Sequence, residues 1–77
     1  MGINKKEADI FLKKLGERVT EIRKSKGLTQ VQLADLCDME KPTINRLEKG
    51  NTNPTALTLK RIANELGVEV SELFIKS

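Results

Sequence analysis

The stretch Gly27–Gly50, GLTQVQLADLCDMEKPTINRLEKG, predicts two short helices joined by a tight turn. Thr29 is followed three residues later by Gln32, which is the spacing of a capping box. In a capping box the side chain of each residue accepts a hydrogen bond from the backbone N–H of the other. A helix should therefore start after Thr29, bury Leu33 and Ala34, and run to about Cys37.

The second helix of this stretch should begin near Glu40 and end at Gly50. Pro42 is tolerated only in a first helical turn, where its missing N–H would be unpaired in any case. Ile44 and Leu47, three residues apart, then form one buried stripe. The remaining side chains of this helix are mostly polar and should face outward.

A longer amphipathic helix is predicted before this stretch, from about Glu7 to about Lys26, with Gly27 as its left-handed cap. Gly16 lies inside it and weakens the pattern slightly. Its apolar side chains recur at steps of three and four: Ala8, Phe11, Leu12, Leu15, Val19 and Ile22.

Two further elements are predicted after the stretch. Thr55 can cap a fourth helix that ends at Gly67, and Ser71 can cap a last short turn through Leu73 and Phe74. The apolar face of the fourth helix consists of Leu59, Ile62, Ala63 and Leu66. Five helices and no strand result, so the fold class is all-α.

The length of 77 residues allows one small domain, which we place at residues 15–77. Residues 1–14 form an N-terminal extension that should continue into the first helix. Cys37 is the single cysteine and histidine is absent, so neither an intrachain disulfide nor a zinc site is expected. The sequence contains no apolar run of the length found in signal peptides or membrane spans, so we expect a cytoplasmic protein.

The residue types also argue against catalysis. Without His, and with one Cys and no glycine-rich phosphate loop, no nucleophile and base arrangement or nucleotide cradle is recognisable. We therefore expect no enzyme activity, no cofactor and no small-molecule ligand. Only Phe11 and Phe74 are aromatic, too few for a row of stacking platforms for single-stranded nucleic acid.

The second short helix is the candidate DNA-binding element. Two helices joined by a tight turn form a helix-turn-helix, which places its second helix in the major groove. With Ile44 and Leu47 inward, the opposite face carries Pro42, Asn45, Arg46 and Lys49, and Lys41 lies at the exposed start. The Arg46 guanidinium suits guanine, and Asn45 suits adenine or a phosphate.

Charge supports this interpretation only weakly. The net charge of +3 favours a polyanionic partner, yet Thr29–Gly50 holds three basic and four acidic residues. The basic excess lies in the preceding segment, on Lys13, Lys14, Arg18, Arg23, Lys24 and Lys26, from which some side chains could reach phosphates. A solvated helix surface is the ordinary alternative for the polar face.

Residues 15–74 resemble the phage repressor and Cro type of helix-turn-helix, the XRE family. The resemblance rests on LGERVTEIRKSKGLTQ at 15–30, Leu33-Ala34, PTINRLEKG at 42–50, Pro54, and IANELGV at 62–68. It implies a compact five-helix domain similar to the lambda-repressor-like DNA-binding domain.

The resemblance also implies residue roles. The base-facing positions match Lys41, Pro42, Asn45 and Arg46. Positions near the DNA backbone match Thr29, Thr43 and Lys49, and the position that braces a phosphate and the groove-facing helix matches Gln30. Arg23 and Glu48 occupy positions that often form a structural ion pair.

Two positions depart from the family pattern. Asp38 stands where glycine is frequent in the turn, and Glu40 stands where Ser or Thr commonly caps the third helix. Asp tolerates left-handed backbone better than most residues, and a carboxylate near a helix N-terminus is favourable. Both residues nevertheless place negative charge near DNA.

The C-terminal apolar cluster predicts a homodimer. Packing against the fourth helix is the ordinary role of such a cluster, but a domain this small cannot bury all of Val68, Val70, Leu73, Phe74 and Ile75. We expect some of Val70, Phe74 and Ile75 to join a symmetric interface, with Ile10 or Phe11 as contributors. Two-fold association would present two recognition helices to half-sites about 34 Å apart.

These features together predict a transcriptional regulator that binds double-stranded DNA as a homodimer on an inverted repeat. Narrower alternatives of the same fold are a controller protein of a restriction-modification system and an antitoxin with a toxin as protein partner. A third alternative is a protein-interaction module that has lost DNA binding, supported only by Asp38, Glu40 and Pro42.

Overall fold

Four α-helices and one short 3₁₀ helix form the part of the chain that this computed structural model describes, residues 2–74. They are α1 (Lys5–Ser25), α2 (Gln30–Leu36), α3 (Lys41–Glu48), α4 (Ala56–Leu66) and the 3₁₀ helix Val70–Phe74. No strand occurs in residues 2–74, so the all-α prediction is confirmed. None of the helices in this range combines the length and apolar character needed to cross a bilayer.

The fifth predicted helix is the one correction to the element count. It is a single turn of 3₁₀ type, so the α-helices number four rather than five. Ser71 was expected to cap it, but the side chain that closes the turn is Glu72, whose Oε2 accepts from the Glu69 N–H at 2.9 Å.

Local capping chemistry decides where the helices begin. The Thr29 and Gln32 capping box is present in both directions, with N–H to side-chain oxygen distances of 3.1 and 2.8 Å. α1 starts at Lys5, two residues earlier than predicted, because the Asn4 side chain accepts from the Glu7 N–H at 2.8 Å. The Asn4 cap was missed, although its short polar side chain is a frequent helix start.

The turn between α2 and α3 depends on a non-glycine residue in left-handed conformation. Asp38 has φ 56°, the only positive φ among the non-glycine residues described. The Met39 N–H then reaches back to the Ala34 carbonyl at 2.8 Å, which closes the end of α2. Asp38 thus adopts a left-handed conformation, which Asp tolerates better than most residues, at the position where the family often has glycine.

A single apolar core holds the elements together, and each helix contributes to it. The largest core side chains that are almost completely buried are Val19, Leu33, Cys37, Ile44, Ile62 and Leu73. Burial raises the pKa of the Cys37 thiol, and the charge of Glu65 adds to that rise. Cys37 is completely buried and packs as a small apolar residue of the core.

Phe11 departs from the predicted apolar face of α1. Its side chain is 52% exposed rather than buried, and its ring stacks on that of Phe74 with centroids 5.7 Å apart. The ring pair joins α1 to the 3₁₀ helix at the surface, instead of contributing to the core.

α1 and α3 approach each other so closely that only glycine fits between them. A Cβ atom at Gly16 would overlap the backbone carbonyl oxygens of Leu47 and Glu48. The residue that weakened the helix pattern in the sequence is therefore required by the packing. This contact places the end of α3 directly against α1.

Candidate nucleic-acid interface

α3 presents a polar face because its two large apolar residues are buried. Ile44 and Leu47 are 0% and 2% exposed, while Lys41, Pro42 and Arg46 lie at the surface. Asn45 is half-buried, and Lys49 is exposed at the C-cap of the helix. The helix therefore offers two lysines, one arginine and one amide to a partner.

A buried ion pair ties α3 to α1. The Arg23 Nε donates to Glu48 Oε2 at 2.6 Å and Nη2 donates to Oε1 at 3.0 Å, so the pair is bidentate. Both residues are less than 9% exposed. The third arginine nitrogen, Nη1, donates to the Leu28 carbonyl at 2.7 Å, which also holds the loop before α2. These are the two residues predicted to pair, and the arginine is consequently committed to the protein interior.

Gln30 connects the same carboxylate to α2. Its Nε2 donates to Glu48 Oε1 at 2.8 Å, and its Oε1 accepts from Asn45 Nδ2 at 3.3 Å. Three helices are thus joined through one buried carboxylate. Each of the two amide nitrogens keeps a second N–H that can be donated to a ligand.

The surroundings of Glu48 keep it ionised. Burial raises the pKa of Glu48, but hydrogen bonds from Arg23, Gln30 and Thr20 and the charge of Arg23 together outweigh burial. The pKa of Glu48 therefore lies below its ordinary value of 4.5. At neutral pH the network consists of a carboxylate and a guanidinium, the arrangement with the strongest hydrogen bonds.

The two threonines predicted near the DNA backbone differ in setting. The exposed Thr29 accepts the Gln32 N–H through its hydroxyl oxygen, which leaves its own O–H for an acceptor such as phosphate. Thr43 is half-buried in the first turn of α3, and its N–H donates to the Glu40 carbonyl at 3.0 Å.

Negative charge lies at the start of α3. Glu40 is its N-cap residue, but its side chain makes no capping hydrogen bond, and Asp38 lies exposed two residues before it. A glutamate side chain is one carbon longer than the short oxygen-bearing side chains that cap helices best. The Glu40 carboxylate therefore adds negative charge at the start of α3 without accepting a hydrogen bond from a backbone N–H of the helix.

The residues predicted for a dimer interface are only partly at the surface. Phe74 is 48% exposed, whereas Val70 is half-buried against the core. Ile75 lies outside the described residues. Ile10 and Phe11, named as contributors, are both about half exposed.

The resemblance implied that Gln30 braces the groove-facing helix, but it did not identify Asn45 as a partner. Lys13 was among the basic residues named for phosphates, but its place beside Lys49 was not predicted. The first half of α1 runs beside the segment after α3, where Lys13, Lys49 and Asn51 line one groove. Gly50 was one signal for that approach, since a glycine can mark close passage of another backbone as well as a helix end.

Comparison with known proteins places this arrangement among helix-turn-helix domains. Residues 19–73 match the family model described as Helix-turn-helix. An HTH-type transcriptional regulator of Methanothermobacter thermautotrophicus is 41% identical over 58 residues, which cover 74% of this chain and 84% of that protein.

Two further similar proteins differ from each other in how much of their length this chain covers. The immunity repressor protein of Bacillus phage phi105 is 37% identical over 59 residues, 77% of this chain, and the chain spans only 41% of that repressor. The crystal structure of the restriction-modification controller protein C.AhdI from Aeromonas hydrophila superposes with a TM-score of 0.80 at 35% identity. That match covers 82% of this chain and 96% of the controller.

Proposed function

The chain belongs to the helix-turn-helix family of transcriptional regulators, and from this premise we propose that it reads a specific sequence in double-stranded DNA. The observation that carries the proposal is the exposed Arg46 on a helix whose orientation is set by the buried Arg23–Glu48 pair. An arginine held at a defined angle can donate two parallel hydrogen bonds to guanine O6 and N7.

The proposed base contacts come from α3. Arg46 and Lys41 donate to base edges, and Pro42 touches only a thymine methyl group or a sugar, because it has no side-chain donor. Asn45 has one N–H engaged by Gln30, so its Oδ1 and its second N–H remain for adenine. Its amide plane is thereby oriented before DNA arrives, which lowers the entropy lost on binding.

The proposed phosphate contacts flank these base contacts. Thr29 donates its O–H, Gln30 its second N–H and Lys49 its ammonium group to the DNA backbone, with Thr43 beside them. Such contacts fix the register of the protein on the duplex but carry no sequence information.

We propose further that the protein acts as a homodimer on an inverted repeat. The half-exposed Phe11 and Phe74 rings and the half-exposed Ile10 supply the apolar surface. Val70, which is half-buried at the start of the 3₁₀ helix, and Ile75 complete the proposed interface. A two-fold axis there would present two copies of α3 to successive major grooves.

A controller protein of a restriction-modification system is the narrower candidate. The similarity to C.AhdI favours it, because the match covers 96% of that controller, which is therefore close to this chain in size. Genes for a restriction enzyme and a methyltransferase next to the coding sequence would support it, and a neighbouring toxin gene would favour the antitoxin alternative.

The test is affinity selection from a randomised duplex pool at two salt concentrations, with the wild type, Arg46→Ala and Lys49→Ala. The wild type should enrich an inverted repeat with half-sites about one helical turn apart. Arg46→Ala should lose about 1 to 3 kcal/mol on the selected site and little on random DNA, whereas Lys49→Ala should weaken both equally. No enrichment by the wild type would overturn the proposal in favour of a protein partner, and equal losses for Arg46→Ala on both DNAs would overturn its role in base reading.

A further inference from the structure

A polar groove lies between the first half of α1 and the segment that follows α3. One wall consists of α1 side chains, including Asp9 and Lys13, and the other is the segment Lys49–Asn53. The α1 residues that line this wall all lie outside residues 19–73, the part of the chain that matches the family model.

Backbone contact holds the two walls together. A Cβ atom at Gly50 would lie 2.7 Å from the Cα of Lys13 and 2.9 Å from its nitrogen. Gly50 also has φ +76° at the end of α3, a conformation that favours glycine. The Lys13 side chain therefore starts immediately beside the C-terminal end of the proposed recognition helix.

The groove carries uncompensated positive charge. Lys5 at its far end is paired with Asp9, Nζ to Oδ2 at 2.7 Å. Neither Lys13 nor Lys49 belongs to any ion pair within residues 2–74, and both are exposed. The exposed Asn51 adds an amide donor. Two ammonium groups and an amide suit a singly charged oxyanion such as a phosphodiester.

The groove also lies next to the proposed reading face. Lys49 follows Arg46 by three residues, which is just under one helical turn. A DNA phosphate held between Lys13 and Lys49 would therefore lie at the edge of the major groove that Arg46 enters.

We infer that Lys13 extends the DNA interface onto α1, where it and Lys49 hold a backbone phosphate of the duplex. The inference rests on the proposed function and assigns it a contact outside the family-matched segment. The alternative is that both lysines only offset the partial negative charge at the C-terminal end of α3.

The test is the salt dependence of duplex binding by the full chain. Loss of one phosphate contact per protomer should make the slope of log K against log salt shallower by about 0.9 per bound protomer, which is about 1.8 for the proposed homodimer. Lys13→Ala should show this change equally on the selected site and on a scrambled duplex, and Lys13→Arg should keep the wild-type slope. Lys14→Ala is the matched control, because it removes the same charge from the neighbouring exposed position, which lines a different groove.

Thermal unfolding and light scattering of each variant separate loss of folding or of dimerisation from loss of contact. An unchanged slope for Lys13→Ala, or an equal change for Lys14→Ala, would overturn the inference. The proposed function would still stand in that case if the wild type enriches a specific duplex. If the wild type binds no duplex, both fail. Titration with inorganic phosphate alone should leave the backbone amide signals of Lys49–Asn53 unshifted, and saturable shifts would mean a site for free phosphate instead.

Discussion

At the scale of single residues, Glu48 is the acceptor on which three helices converge. Its two carboxylate oxygens accept hydrogen bonds from Arg23 on α1 and from Gln30 on α2. The resemblance suggested the pair with Arg23. The resemblance also implied that Gln30 braces the groove-facing helix, but its use of Glu48 as the acceptor depends on how α2 crosses α3.

Glu48→Gln should destabilise the domain in a pH-dependent way. The substitution leaves the buried Arg23 guanidinium without a counter-charge, which should cost about 3 to 5 kcal/mol of unfolding free energy at pH 7. The pKa of Glu48 lies below 4.5 in the folded protein, so its stabilising contribution is complete above that pH and is lost as the pH falls through the folded value. The difference between the two proteins should therefore shrink below pH 4.5 in urea unfolding measured from pH 7 to pH 3.

The exposed Glu17 on α1 offers a matched control. Glu17→Gln removes the same charge and should change the unfolding free energy by less than about 0.5 kcal/mol. A constant difference between wild type and Glu48→Gln across the whole pH range would contradict a stabilising role for the ionised carboxylate.

At the scale of helices, α3 has a well-defined end and a poorly capped start. Gly50 closes its C-terminus, where the Asn51 N–H reaches the Arg46 carbonyl at 2.9 Å. Its N-cap residue, Glu40, makes no side-chain hydrogen bond to the helix. Both ends were predicted closely, since Pro42 and Gly50 are local signals that tertiary packing does not override here.

Glu40→Thr should stabilise the protein and strengthen DNA binding. A threonine hydroxyl at this position can accept a backbone N–H of the first turn, a contact worth about 1 kcal/mol. Removal of a carboxylate beside the DNA should tighten binding to all duplexes. Chemical unfolding and fluorescence anisotropy would measure the two effects, with Glu40→Gln as a control that removes the charge without adding a good cap. Equal stability of the two variants would contradict the capping argument.

Gly16→Ala should destabilise the domain although alanine favours helices. An added Cβ would overlap the carbonyl oxygens of Leu47 and Glu48, which forces α1 and α3 apart. We expect a loss of about 1 to 3 kcal/mol in unfolding free energy and a weaker Arg23–Glu48 pair. Gly2→Ala is the control, because a Cβ there meets no atom within 4 Å. A stabilised Gly16→Ala variant would mean that the two helices do not approach so closely in solution.

At the scale of the whole molecule, residues from opposite ends of the chain meet in one apolar surface. Phe11 near the start of α1 and Phe74 in the 3₁₀ helix stack on each other while each remains about half exposed. Periodicity placed Phe11 on the apolar face of α1, but a helical pattern does not show how far the neighbouring elements cover that face.

Phe74→Asp should shift the proposed dimer toward monomer. A carboxylate in an apolar two-fold contact faces its own copy or loses its hydration, and either effect opposes association. Light scattering should show a lower mass than for the wild type, and binding to an inverted repeat should weaken more than binding to a half-site. Leu57→Asp is the matched control, since Leu57 is 82% exposed and lies outside the proposed interface. A wild type that remains monomeric at high micromolar concentration would contradict the dimer.

The sequence by itself determined the class of fold, the approximate limits of the four α-helices and the outward face of α3. These features depend on interactions between residues a few positions apart, such as the Thr29–Gln32 capping box and the spacing of Ile44 and Leu47. Only the tertiary structure decided that Gln30 joins Glu48 to Asn45, and that Lys13 lies beside Lys49. It also decided that α3 packs against α1 at Gly16, where a Cβ atom would not fit. Those contacts link different helices, and their geometry follows from the crossing of helices around a shared core, which local chemistry does not specify.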